Sequence, residues 1–171
     1  MSASGSSAAA VLPVGSRIPE FAARNQHGET VRSEDLAGAA SWVMFYPFAF
    51  SRVCGSELAQ LHARWPEVQA HGVRVLAISC DPIHALRAYA ELLHDQGGGD
   101  GAEPLGFDLL SDFWPHGEIS ASFGAFDAGR GAPERVSFFL DAELTVRHVQ
   151  RADVSQARDF SEALELLATL G

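Results

Sequence analysis

Two residues in the chain carry thiols, and one of them, Cys54, stands where a thiol is easily put to chemical use. It follows the apolar run "MFYPF" and precedes Leu58, Leu61, Trp65 and Val68, which recur at intervals of three or four. This spacing predicts an amphipathic helix from about 54 to 71, with Gly72 just past its end. A cysteine in the first turn of such a helix meets unpaired backbone N–H groups and the positive end of the helix dipole, both of which favour the thiolate. The thiolate is the nucleophile, and a thiol with a pKa of about 8.5 is only a few per cent ionised at neutral pH, so a cation is wanted nearby. The competing reading is a packed, inert thiol, because free cysteine is among the most buried residue types.

The elements around Cys54 must hold it at the end of a sheet. "SWVMFYPF" (41–48) and "VRVLAIS" (73–79) are β-branched and apolar with few charges, as expected of central parallel strands covered on both faces. With the helix between them they form a βαβ unit. His27-Gly28 marks a turn and an N-terminal β-hairpin, after which Ser33 is expected to cap a short helical turn. Asp81-Pro82 reads as the cap and first residue of a second helix that buries Ile83, Leu86, Ala90 and Leu93 and stops at "QGGGDGAEPLG". Then come a strand in "FDLLSD" (107–112), a short helix in "HGEISASFG", a hairpin from "RVSFFLD" and "LTVRHVQ", and a last helix over about 155–170 burying Phe160, Ala163, Leu164 and Leu167. The order predicts an α/β fold, a central mixed sheet flanked by helices on both faces.

At 171 residues the chain is long enough for one domain, expected over 14–171, behind a disordered tail of residues 1–13. No apolar run approaches the roughly 20 residues of a bilayer span, and "MSASGSSAAAVLPVGS" lacks the positive start of a secretory signal. A cytoplasmic protein without a membrane partner is expected. A formal charge of −10, from 22 acids against 12 bases, argues against nucleic acid as a partner.

Around Cys54 the residues resemble a known family. Pro47, Ser51, Cys54 and Glu57 match the peroxiredoxin active-site pattern of proline, threonine or serine, cysteine and glutamate. "FYPFAFSRVCGSELAQL", "LAIS", "FDLLSDFWPHGEISASFGAF" and "ERVSFFLD", in that order, resemble the alkyl hydroperoxide reductase E group of peroxiredoxins over roughly residues 14 to 170. The resemblance implies a thioredoxin-like fold and a thiol-dependent peroxidase, reducing hydrogen peroxide, organic hydroperoxides or peroxynitrite through a sulfenic acid at Cys54. It also implies an external thiol or a thioredoxin- or glutaredoxin-like protein as reductant, and a homodimer. Arg135, opening a strand after the short helix, takes the place of the family's arginine, and its planar fork suits both the sulfur's charge and the peroxide oxygens. Arg52 ranks second for that role and Arg130 reads as a solvated loop residue. Ser51 supplies a hydroxyl, Glu57 orients an arginine unless it is merely a first-turn acid, and Pro47 covers the cysteine unless it only ends a strand. Serine at 51 departs from the usual threonine, so the hydroxyl is kept while its rotamer is freer.

Cys80, at the end of its strand, should lie on the same sheet edge as Cys54. It is either a resolving cysteine that forms a disulfide with Cys54 or a packed thiol. Seven scattered histidines without Cys-x-x-Cys or His-Glu-x-x-His spacing give no metal site, and no glycine-rich phosphate loop follows a strand, so no cofactor is expected. Phe48 and Phe50 wall the peroxide pocket or fill core, and Phe113 and Trp114 anchor a dimer or fill core. The rival from another class is a non-enzymatic redox-sensing or chaperone-like protein on the same fold.

Overall fold

The computed structural model describes residues 10–96, 104–153 and 155–170, and of Cys54 only the backbone. The chain builds a seven-stranded mixed sheet in the order β2-β1-β5-β4-β3-β8-β9. These strands are β1 Ala22–Asn25, β2 Thr30–Arg32, β3 Ser41–Phe45, β4 Arg74–Ser79, β5 Asp108–Ser111, β8 Val136–Leu140 and β9 Val146–Arg151. The three central strands β3, β4 and β5 are parallel, and every other pairing is antiparallel. A short ribbon, β6 Phe126–Asp127 with β7 Ala132–Pro133, was not foreseen; two-residue strands leave no periodicity to read.

Alternation along the central strands sorts their side chains onto two cores, as a period of two demands. Trp42, Met44, Val75, Ala77, Leu109 and Phe139 face one side, against helices α1 Arg52–Ala63, α2 Trp65–Gln69, α3 Ile83–Gln96 and α5 Phe160–Ala168. Val43, Phe45, Leu76, Ile78, Leu110 and Phe138 face the other, against the short helix α4 Glu118–Ser122, a 3-10 turn at Ser33–Leu36 and the N-terminal segment. Trp42 stacks on Phe139 with ring centroids 5.5 Å apart, a contact worth about 0.5–1.5 kcal/mol beyond its burial.

Several boundaries differ from expectation for local reasons. The first helix starts at Arg52 and breaks at Arg64, because Pro66 has no N–H to give and its ring would strike the His62 carbonyl one turn back. Ser33 opens its turn rather than capping it, and its hydroxyl accepts the Phe21 N–H at 3.1 Å. Asp81 does not cap α3: the first intrahelical bond goes to the Pro82 carbonyl, while the Asp81 carboxylate accepts the Ala49 N–H at 2.8 Å. On α3 the buried residues are Leu86, Tyr89 and Leu93, with Ile83 and Ala90 at the margin. The last helix begins at Phe160, capped by the Asp159 carboxylate on the Glu162 N–H. Residues 1–9 of the expected tail, and 97–103 of the glycine-rich stretch, lie outside the described residues. The tail does not extend to residue 13: Val11 and Leu12 pack on the second core, and the Leu12 N–H donates to the Phe123 carbonyl at 3.0 Å.

Candidate active site

Strand β3 delivers the chain to one end of the sheet, where Pro47, lacking an N–H, cannot continue the ladder. The loop from Tyr46 to Ser51 then turns back into α1, whose first intrahelical bond runs from the Gly55 N–H to the Ser51 carbonyl at 2.8 Å. Ser51 is thus the capping residue and Cys54 the third residue of the helix, inside the first turn, where the sequence put it. The position of the Cys54 side chain lies outside the described residues.

A cleft of about 800 Å³ opens at this end of the sheet, lined among others by Pro47, Phe48, Ser51 and Arg135. Arg135 immediately precedes β8, the neighbour of β3, which is why a residue 81 positions after Cys54 in the chain reaches the same cleft. Its side chain is only 2 % exposed. Glu57, one turn beyond Cys54 on α1, is also buried, and its Oε1 accepts Arg135 Nη1 at 2.9 Å. Because α1 starts at Arg52, Glu57 sits in the second turn, and the reading of it as a first-turn acid held by the dipole does not apply.

A second guanidinium completes this network. Arg158 donates Nε and Nη2 to Glu57 Oε2 at 2.9 and 2.6 Å, its backbone N–H to Oε1 at 3.1 Å, and Nη1 to the Phe45 carbonyl at 2.7 Å and the Ser137 hydroxyl at 3.2 Å. Glu57 therefore accepts from two buried arginines, and the trio keeps one unit of surplus positive charge below the cleft. Sequence reasoning missed Arg158 because it assigned 155–159 to a helix. The available signal was Asp159, a capping residue three before Glu162, which places the helix start after the arginine.

The other named residues divide. Arg130 is exposed and 3.5 Å from Asp127, as expected of a loop residue. Arg52 is exposed on the cleft wall, while the buried position falls to Arg135. Phe48 and Phe50 are not core: Phe48 lines the cleft half exposed, and Phe50, at φ 64°, lays its ring 4.9 Å from that of Tyr89. Phe113 and Trp114 are likewise exposed, Trp114 by 84 %. Cys80 is buried and faces the Ser120 hydroxyl and Gly117 backbone at the start of α4. Burial first, then the charges of Asp112 and Asp81, push its thiol up to about 12. Among the described residues no three His, Cys, Asp or Glu side chains gather closely enough to hold a metal ion.

The AhpC/TSA family model matches residues 14–149. The chain belongs to the AhpC/TSA family. It is 32% identical over 161 residues to alkyl hydroperoxide reductase E of Mycobacterium tuberculosis, covering 94% of this chain and 99% of that one. It is 31% identical over 127 residues to alkyl hydroperoxide reductase C of Staphylococcus aureus, 74% of this chain and 63% of that one. Among solved structures, Enterococcus faecalis AhpC superposes with a TM-score of 0.79 at 25% identity, over 92% of each chain. A cysteine-to-serine mutant of peroxiredoxin 6 from Arenicola marina superposes with a TM-score of 0.83 at 19% identity, over 93% of this chain and 73% of that one. The fold is the thioredoxin-like fold of peroxiredoxins, and the chain is a peroxiredoxin-family peroxidase.

Proposed function

We propose that Cys54 is the peroxidatic nucleophile for hydrogen peroxide, organic hydroperoxides or peroxynitrite, with Ser51 and Arg135 as its activating and orienting groups. The observation that carries this reading is Arg135: a buried guanidinium, fixed by Glu57, that opens onto the cleft shared with Ser51 and Pro47. A guanidinium held this way favours the thiolate and supplies N–H donors where charge develops as the O–O bond lengthens. The sulfur lone pair attacks one peroxide oxygen, the O–O bond breaks, and its electrons leave with the other oxygen, which takes a proton to become water or an alcohol, or departs as nitrite when the substrate is peroxynitrite. Cys54 is left as the sulfenic acid. Glu57 and Arg158 act as positioning residues, because they fix Arg135 from behind. Pro47 shields the site from water.

Recycling by an external thiol fits better than a Cys54-Cys80 disulfide. With its thiol pushed up to about 12, Cys80 is protonated at neutral pH and is no nucleophile there. It also points to the α4 face, whereas α1 packs through Leu58 and Leu61 on the opposite face. No described helix is long and apolar enough to cross a membrane, and a free buried thiol suits a reducing compartment such as the cytoplasm. The exposed Phe113 and Trp114, beside Pro82 and Ile83, are the surface on which a second copy would dock to form a homodimer. Intact mass after one equivalent of peroxide tests the scheme. A gain of one oxygen, absent in Cys54→Ser, supports it; a loss of two hydrogens would make Cys80 a resolving cysteine; no change would remove Cys54 from the reaction.

A further inference from the structure

Hydrogen peroxide is far smaller than the cleft it enters, whose volume of about 800 Å³ is of the size that takes a whole organic molecule. The charges lining that cleft are largely matched. Arg130 pairs with Asp127 at 3.5 Å, Arg151 with Glu134 at 3.1 Å and Arg135 with Glu57 at 2.9 Å. Arg52 differs. It is exposed, opens α1 two residues before Cys54 and lines the cleft, and its guanidinium has no hydrogen bond or ion pair with any described residue. Pro47, Phe48 and Val53 give the same cleft an apolar part.

We propose that Arg52 selects the reductant: it binds the carboxylate of a small acidic thiol and holds that thiol at the oxidised Cys54. The proposal rests on the peroxidase reading above. In turnover with hydrogen peroxide the oxidant arrives neutral, whereas the reductant must attack as a thiolate, so there the reductant is the reagent whose reacting form is anionic. A chain of net charge −10 repels such an anion generally, and an exposed guanidinium on the cleft wall, unmatched among the described residues, reverses this locally. Its fork also donates two parallel hydrogen bonds to a carboxylate. The thiolate attacks the sulfenic sulfur, an S–S bond forms, and the S–O bond breaks to release hydroxide, which takes a proton to become water. A second thiolate attacks the reductant's sulfur in this mixed disulfide, releasing the Cys54 thiolate and the oxidised reductant as its own disulfide. Two thiols are oxidised and one sulfenic acid is reduced.

The test begins with protein oxidised by one equivalent of hydrogen peroxide and weighed. If Cys54 gains no oxygen, the peroxidase reading fails and this proposal with it. If it does, the oxidised protein is mixed with 3-mercaptopropionate, 2-mercaptoethanol and cysteamine, three thiols of similar size that are acidic, neutral and basic, with rates expressed per thiolate. The acidic thiol is expected to be fastest and the basic one slowest, with steps of roughly two- to fivefold for one exposed charge pair. The advantage should shrink with added salt. It should fall below about twofold in Arg52→Gln and survive in Arg52→Lys, because a point charge suffices for attraction. Asp153, which lines the cleft without an ion pair to any described residue, opposes the effect, so Asp153→Asn should enlarge it. Equal rates for the three thiols in the unaltered protein, or a preference unchanged in Arg52→Gln, would overturn the proposal while leaving the peroxidase reading standing. A smaller preference in Asp153→Asn would also count against it.

Discussion

Replacing Glu57 by glutamine changes one oxygen to an amide nitrogen in the most heavily bonded buried carboxylate of the site. Four N–H groups converge on it, three from Arg158 and one from Arg135, and both arginines are 2 % exposed. The amide directs two hydrogens at donors and takes the Glu57 charge away from two buried guanidinium ions. Breaking a buried pair from one side costs about 3–5 kcal/mol. In a domain of this size that corresponds to a fall in Tm of about 6–20 °C, at about 2–4 °C for each kcal/mol. If Glu57 were only a dipole-favoured surface acid, the loss would be about 0.3–1 kcal/mol, or under about 4 °C. Thermal unfolding followed by circular dichroism separates the two outcomes. Arg135 also loses its anchor, so the oxidation rate constant should drop on the order of tenfold or more. A variant that melts within about 2 °C of the parent would refute the account of the network.

Further outcomes follow from other parts of the fold. Iodoacetamide at neutral pH should add one group to the native protein, at Cys54, and two after unfolding, because burial holds Cys80 protonated; rapid double labelling of the native protein would contradict this. His62 on α1 has its ring 6.3 Å from that of His94 on α3, and burial first, then the His94 charge, hold its pKa below the ordinary value. The unfolded chain therefore binds the proton more readily, so stability present above about pH 6.5 is lost as pH falls through the lowered pKa. His62→Gln should lose less in Tm than the parent between about pH 7 and about pH 5, and an equal loss would refute the assignment. Trp114→Arg should shift sedimentation from dimer towards monomer while leaving Tm at low protein concentration nearly unchanged, since the side chain is outside the chain's own core. A variant that sediments as the parent does would refute the proposed dimer contact at Trp114.

Much of the sheet was readable because its central strands are buried on both faces, and continuous apolar runs such as 42–45 and 75–78 have few other homes. The candidate-site end of β3 was readable for a different reason: Pro47, Ser51, Cys54 and Glu57 lie within one loop and two helical turns. Arg135 was reached through resemblance, not spacing, since only the antiparallel pairing of β3 with β8 brings it beside residues so distant in sequence. Arg158 was hidden by a competing local pattern, the apolar stripe of α5 being extended backwards past its Asp159 cap. Tyr89 was passed over in favour of Ala90 because both lie close to the buried stripe, and only the packing of Phe50 and α1 on α3 shows which one turns inward. The face on which Cys80 points also depends on a tertiary fact, the docking of α4 across the sheet from α1.

The central claim is that Cys54 is a thiol made reactive by Arg135, and it is tested most directly by the stopped-flow rate of the reduced protein with hydrogen peroxide. Measured beside free cysteine at the same pH and beside Arg135→Ala, the parent should react at least about a hundred- to a thousandfold faster than the free thiol, the range that fixed donors to a developing oxyanion supply. The variant should lose most of that advantage. A parent no faster than free cysteine with any hydroperoxide, or an Arg135→Ala variant that keeps the full rate, would contradict the account.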